Sequence, residues 1–288
     1  MKKHFKKVVA ALATIAVGAS FAFGFVGCAS ADDGKTELVI SGSSSVTPLM
    51  ERLAAVYEVL NEDIKITIQT SDSGTGVKDA IDGKNDFGMA SRNLKQSEAG
   101  VVQKTICKDG VALVVNNACS IGSVTSSQIY NLYANGVSIG NITNAISRED
   151  GSGTRDAFDG LIKNDDGAKL EDFLKEHSNF ANCVDIQNNT GAVKSAIAGN
   201  SSGNLTGYIS MGSLDETVKA LDFEGVAATV ENVKNGSYKL SRPFNIVYRS
   251  EELLSAAAKE FINFILSPAG QYIAESQGYI AIQDYVAA

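Results

Sequence analysis

The stretch Ser147-Arg148-Glu149-Asp150-Gly151-Ser152-Gly153-Thr154-Arg155 crowds Arg148, the hydroxyls of Ser152 and Thr154 and two glycines onto what reads as a helix start. That is the chemistry of an oxyanion site. Glycines let backbone N–H groups turn toward one point, a helix N-terminus carries about half a positive charge, and Ser152 and Thr154 add hydroxyl donors. Arg148 adds formal charge on a planar fork suited to a tetrahedral anion. Two further hydroxyl-rich stretches lie upstream. Ser41-Gly42-Ser43-Ser44-Ser45-Val46-Thr47-Pro48 follows the apolar run Leu38-Val39-Ile40, and Ser71-Asp72-Ser73-Gly74-Thr75-Gly76-Val77-Lys78 follows a second. Pro48 suits a first helical turn, and Leu49, Leu53, Val56 and Leu60 then share one face. One such stretch alone reads as a helix cap. Three together read as one anion held between helix starts.

A catalytic or metal centre finds little to build on. Beyond the leader His177 is the only histidine, and it sits in Glu171-Asp172-Phe173-Leu174-Lys175-Glu176-His177, a solvated helix face. Gly34-Lys35-Thr36 lacks the upstream glycine of a phosphate-binding P-loop. Cys107, Cys119 and Cys183 contain no C-x-x-C pair and read as small buried hydrophobes, while export leaves a Cys107–Cys119 bridge open. These readings give a binding protein with no metal and no cofactor. The alternative is a secreted phosphatase or hydrolase using Ser44 or Ser152 as nucleophile, for which no general base is evident.

Lys2, Lys3, Lys6 and Lys7 precede an apolar segment from Val8 to Val26, the pattern of a secretory signal. Phe25-Val26-Gly27-Cys28 resembles a bacterial lipobox, with phenylalanine where leucine is usual; a lone membrane anchor is the structural alternative. On the lipobox reading, residues 1–27 are removed, Cys28 carries the lipid and residues 28–35 form a polar tether. The whole chain holds 25 basic and 33 acidic residues, for a net charge of −8, and loss of the four leader lysines makes it more negative. Nucleic acid is therefore excluded as a partner. A closed anion site is still possible, because its own donors outweigh distant screened charges.

Short apolar runs alternate with helical patterns, as in an α/β protein with largely parallel strands. Strands are expected at 38–40, 64–68, 86–90, 111–115, 145–147, 207–210 and 244–248. Helices are expected at 48–60, 76–81, 126–133, 155–163, 192–198 and 251–266. The chain at 199–203 and 235–237 reads as surface turns. All three hydroxyl-rich stretches then occupy strand-to-helix loops, where ligands bind in such sheets.

These residues resemble the phosphate-binding lipoproteins of Pst-type ABC transporters, within the periplasmic-binding-protein-like superfamily. Ser41 to Pro48 is similar to the family's first phosphate loop, Ser73 to Lys78 to its second, and Asp86-Phe87-Gly88-Met89-Ala90-Ser91-Arg92 to its third element. Arg148 to Arg155 is the most specific signature. Gly207-Tyr208-Ile209-Ser210, Phe264 to Gln271 and Gln277-Gly278-Tyr279 agree with it. The resemblance implies a two-lobed α/β fold of type II, with the ligand in the interlobe cleft and crossing strands near 114–117 and 240–246. Lobe 1 is expected at 36–115 plus 245–288 and lobe 2 at 116–244.

Carried over residue by residue, the resemblance assigns Ser44, Ser45, Ser73, Ser91, Arg148, Ser152, Gly153 and Thr154 to phosphate, and Asp150 to orienting the arginine. One departure stands out: many members carry an aspartate where this chain has Ser91, so a carboxylate that could accept the proton of phosphate is replaced by a hydroxyl, with Asp72 as a possible substitute acceptor. The implied function is a lipid-anchored extracytoplasmic receptor that takes inorganic phosphate and hands it to ABC permease subunits. A phosphate sensor or adhesin on the same fold is the other non-enzymatic alternative.

Overall fold

The computed structural model describes residues 34–282. The expected signal peptide, Cys28 and most of the tether lie outside the described residues. β1 (Thr36–Ser43) leads into α1 (Thr47–Leu60), β2 (Ile64–Ser71) into α2 (Ser73–Asp82), and β3 (Phe87–Ala90) follows. β1 lies between β2 and β3 and runs parallel to both. Leu38 and Ile40 are buried on β1, and Leu49, Leu53 and Val56 on α1, so the apolar spacing read as one helix face is the face that packs.

β4 (Val102–Val115) is the element that joins the halves. Residues 102–110 pair antiparallel with β11 (Ser241–Tyr248), and Val111–Val115 pair antiparallel with β8 (Leu205–Ser210). β6 (Asn144–Arg148) runs parallel to β8 and to β7 (Val184–Gln187). The result is one continuous sheet in the order β2-β1-β3-β11-β4-β8-β6-β7, with β9 (Lys219–Ala220) also on β4. The small pair β5 (Ser123–Val124) and β10 (Asp222–Phe223) stands apart.

The helices α3 (Ser126–Asn135), α4 (Gly153–Leu161), α5 (Leu170–His177), α6 (Thr190–Gly199) and α7 (Val230–Lys234) belong to the middle of the chain. α8 (Ala256–Leu266) and α9 (Pro268–Ser276) return to the first half, where the Phe261 ring packs at a tilt against Tyr57, with centroids 4.9 Å apart, and against Phe87 at 6.1 Å. Two large apolar clusters follow. One gathers Leu38 to Cys107 with Phe244 and the C-terminal helices, and the other gathers Val111 to Leu240 with Ile280. The side chains of Val111–Val115 pack in the second cluster. The physical reason is that β4 changes partner strand at Gly110/Val111, and with it the core it faces.

Several expected elements begin elsewhere. The strand expected at 111–115 is the second half of a fourteen-residue strand whose first half, with Gln103, Lys104, Thr105, Lys108 and Asp109, is too polar to read as core. The helix expected from residue 251 starts at Ala256, capped by Ser255, and Ser267 then caps α9. α2 starts at Ser73 rather than 76, because Asp72 accepts from the Thr75 N–H and sets the first turn. Cys107 and Cys119 sit in different clusters as free thiols, so no bridge links them.

α2 lies against β1 and β3 with almost no clearance. A Cβ on Gly76 would fall 2.6 Å from Gly42 Cα and 2.8 Å from the Ser41 oxygen, while Gly42 itself holds φ +131°. Gly76→Ala should therefore push α2 off the sheet and cost about 2 kcal/mol by overpacking. Urea unfolding checks this; an unchanged midpoint would show that α2 can shift freely.

Candidate oxyanion site

Four strand-to-helix loops meet where the two halves face each other. β1 leads to α1 through Ser44 and Ser45, β2 to α2 through Asp72, β6 to α4 through Gly151 and Ser152, and β7 to α6 through Asn189. Each helix presents its N-terminal end, with its unpaired N–H groups and positive dipole end, to the same region.

Arg148 ends β6 and is 2% exposed. Its strand is buttressed from behind: Ser147 Oγ bonds the Tyr208 hydroxyl at 2.8 Å, and the Tyr133 hydroxyl donates to the Ile146 oxygen at 2.9 Å. Glu149 grips the guanidinium, accepting from Nε and Nη2 at 2.7 Å each. The remaining donors point forward, Nη1 to Thr190 Oγ1 and Nη2 to Ser44 Oγ, both at 3.2 Å. The arginine's orienting acid is thus Glu149 and not Asp150. The Asp150 side chain is 97% exposed and pairs with Arg155 Nη1 at 2.6 Å. Gly151, at φ +86°, turns the chain there and leaves Asp150 facing solvent, whereas Glu149 folds back over the arginine.

The other expected residues contact one another across the cleft. Ser45 Oγ bonds Thr154 Oγ1 at 2.8 Å across the cleft, joining the α1 loop to the first turn of α4. Ser73 Oγ accepts from the Ser91 N–H at 3.0 Å and lies 3.3 Å from Ser91 Oγ. Gly153 fits against that pair so closely that a Cβ would come within 2.3 Å of Ser73 Oγ and 2.8 Å of Ser91 Oγ. The Gly74 N–H donates to the Gly151 oxygen at 3.0 Å. Ser152 is buried and caps α4 by accepting from the Arg155 N–H at 3.3 Å, so its hydroxyl also supports the turn.

Thr190 was not anticipated. It is 4% exposed, opens α6, and its hydroxyl bonds Ser45 at 2.9 Å as well as receiving Arg148. Asn188-Asn189-Thr190-Gly191 before an apolar helix was the available signal, since Asn189 caps α6 by accepting from the Ala192 N–H. The expected helix began at 192 and passed over it. Asp72 is engaged by Thr75, at 2.9 Å from its N–H and 2.5 Å from its hydroxyl, and so is occupied as a cap.

Other cations are drawn elsewhere. Arg92 pairs with Glu98 at 2.6 Å and crosses the cleft to Asp156 at 2.8 Å, where Lys95 joins it at 2.7 Å. Behind the site, Asp109 on β4 and Arg242 on β11 are register partners and form a buried ion pair at 3.0 Å. Burial pushes the Asp109 carboxyl up against the pull of Arg242 and Ser210, and pushes the Arg242 guanidinium down. A cavity of 840 Å³ flanks the cleft beside Arg92, Arg155 and Arg242, and one of 370 Å³ reaches Ser44 and Thr190 from the other side. With Glu149 cancelling Arg148, the site offers hydroxyls and helix dipoles rather than net charge.

His177 is exposed and stacks on Phe173 at 4.2 Å. Gly199-Asn200-Ser201-Ser202-Gly203 spells G-x-S-x-G, but it lies in an exposed turn after a helix rather than between strand and helix, so it makes no nucleophile elbow.

A two-lobed binder with converging helix starts is the architecture of periplasmic solute receptors, and the chain matches the PBP superfamily domain over residues 29–269. Among solved structures it is 38% identical to a phosphate ABC transporter substrate-binding protein from Clostridium perfringens, solved with bound phosphate. That likeness has a TM-score of 0.78 and covers 86% of this chain and 100% of the other. An ABC-type phosphate transport receptor from Vibrio cholerae is 30% identical, with a TM-score of 0.66, over 85% of this chain and all of that one. The phosphate-binding protein PstS 2 of Streptococcus pneumoniae is 45% identical over 138 residues, which is 47% of this chain and 44% of that relative's length. The chain belongs to the Pst-type phosphate substrate-binding proteins of the PBP superfamily.

One buried acid near the site is set apart from the rest. Asp159 on α4 is pushed up to about 7 by burial, with Arg155 only partly opposing the rise. The folded protein therefore holds a proton that the unfolded chain releases in the ordinary carboxylate range. The resulting stabilisation is present at low pH and is lost as pH rises toward 7. The melting temperature of Asp159→Asn relative to the native protein should increase from about pH 4 to about pH 8. A difference that stays flat over that range would mean that Asp159 titrates normally.

Proposed function

We propose that this protein is an extracytoplasmic receptor that closes its two lobes on inorganic phosphate and delivers it to the permease of an ABC transporter. The observation that carries the reading is Arg148, buried at the lobe junction with two N–H donors aimed forward among hydroxyls from both lobes. The names of its relatives support phosphate as the anion. The lobes are taken to divide at 110/111 and 240/241, where the apolar clusters part, so that β4 and β11 form the hinge.

The energetics suit a transport receptor. Charge-assisted hydrogen bonds contribute roughly 1.5 to 3 kcal/mol each, so a handful supports micromolar or tighter affinity after the costs of desolvation and closure. Closure buries the anion among donors that water would otherwise satisfy, and release follows when the lobes part. The hydroxyl of Ser91 can accept as well as donate, which lets the protonated oxygen of phosphate find a partner without a facing carboxylate.

Two experiments bear on this. Calorimetry should show phosphate binding by the native protein, and Arg148→Ala should weaken it at least tenfold, about 1.4 kcal/mol or more. Unchanged affinity in a folded variant would remove Arg148 from the site. Tethering rests on Cys28, so Cys28→Ser should yield a released protein that still binds phosphate; a variant retained as an integral membrane span would overturn the lipobox reading.

A further inference from the structure

Thr190 stands between the two groups that define the site, and its contacts are of a kind that an anion would replace. Its hydroxyl receives Arg148 Nη1 at 3.2 Å, bonds Ser45 Oγ at 2.9 Å and lies 3.4 Å from Ser44 Oγ. Its N–H donates to Ser44 Oγ at 3.3 Å. The two forward donors of Arg148 therefore end on Thr190 and on Ser44, and Thr190 contacts Ser44 as well. An oxyanion that takes those donors must enter between Arg148 and these hydroxyls. Once it does, the Thr190 oxygen no longer receives the arginine, and its own proton can turn to the anion.

Independent features agree. Thr190 opens a ten-residue helix, so the dipole of α6 is aimed at the same point as that of α4. The 370 Å³ cavity on that flank of the cleft has Thr190 and Ser44 in its wall, together with Lys194 one turn along α6. This is where solvent space reaches the buried hydroxyls.

We infer that Thr190 is an anion-contacting residue, and that α6 adds a fourth helix start to the binding site beyond the loops assigned from the sequence. The inference rests on the phosphate reading, and Thr190 refines it by supplying a hydroxyl that either donates to an anion oxygen or accepts the proton of phosphate.

The test separates a ligand contact from a contact that merely helps the lobes close. Thr190→Val keeps the shape and removes the hydroxyl, and Thr190→Ser restores it. Calorimetry with inorganic phosphate should show about tenfold weaker binding for the valine variant and near-native binding for the serine variant. The ³¹P chemical shift of bound phosphate should move in Thr190→Val and return in Thr190→Ser, because a group touching the anion alters its surroundings. Native affinity in Thr190→Val overturns the inference, as does weaker binding with an unmoved ³¹P shift, which would make Thr190 a closure contact. Failure of the native protein to bind phosphate would instead overturn the functional reading on which the inference rests.

Discussion

Burying a guanidinium is costly unless its donors are answered, and Arg148 meets Glu149, Ser44 and Thr190. Glu149 takes two of its donors and neutralises it where the two halves of the chain face each other. The remaining donors then pass through Ser44 and Thr190 to Ser45 and Thr154. Because those hydroxyls come from both lobes, the arginine's environment is complete only when the lobes meet.

This dependence places demands on the scaffold. The loops must arrive at one point, and parallel strands achieve that by delivering their carboxyl ends, and the helices that follow, to one edge. The glycines at 42, 76 and 88 let α2 lie directly on the strands and so bring Ser73 up to Ser91. The crossing strands must also hold their register. The buried Asp109–Arg242 pair ties β4 to β11 at the point where β4 exchanges its strand partner, and breaking it would leave a charge uncompensated in the hinge.

A neutral, hydroxyl-rich site also sets how the ligand is read. A carboxylate facing an anion rejects a fully ionised oxyanion by repulsion. Here the side chains that Arg148 meets besides Glu149 are the hydroxyls of Ser44 and Thr190, each able to donate or accept. The acids nearby are committed elsewhere: Glu149 to Arg148, Asp72 to the α2 cap, and Asp156 to Arg92 and Lys95.

The sequence by itself determined the α/β class and the apolar face of α1, because these depend on local spacing and residue type. Ser44, Ser45, Ser73, Ser91, Gly153 and Thr154 were expected from the family resemblance, each lying in or beside a loop that the resemblance matches. The tertiary structure alone decided which acid holds Arg148, since Glu149 and Asp150 differ only in how the Gly151 turn directs them. It also decided that Thr190 joins the site, since its distance from Ser45 in sequence is closed only by packing of the two lobes. The extent of β4 was hidden for a related reason. Polar residues at 103–109 are buried or paired by β11 rather than by their own neighbours, and long-range pairing of that kind leaves no local pattern to read.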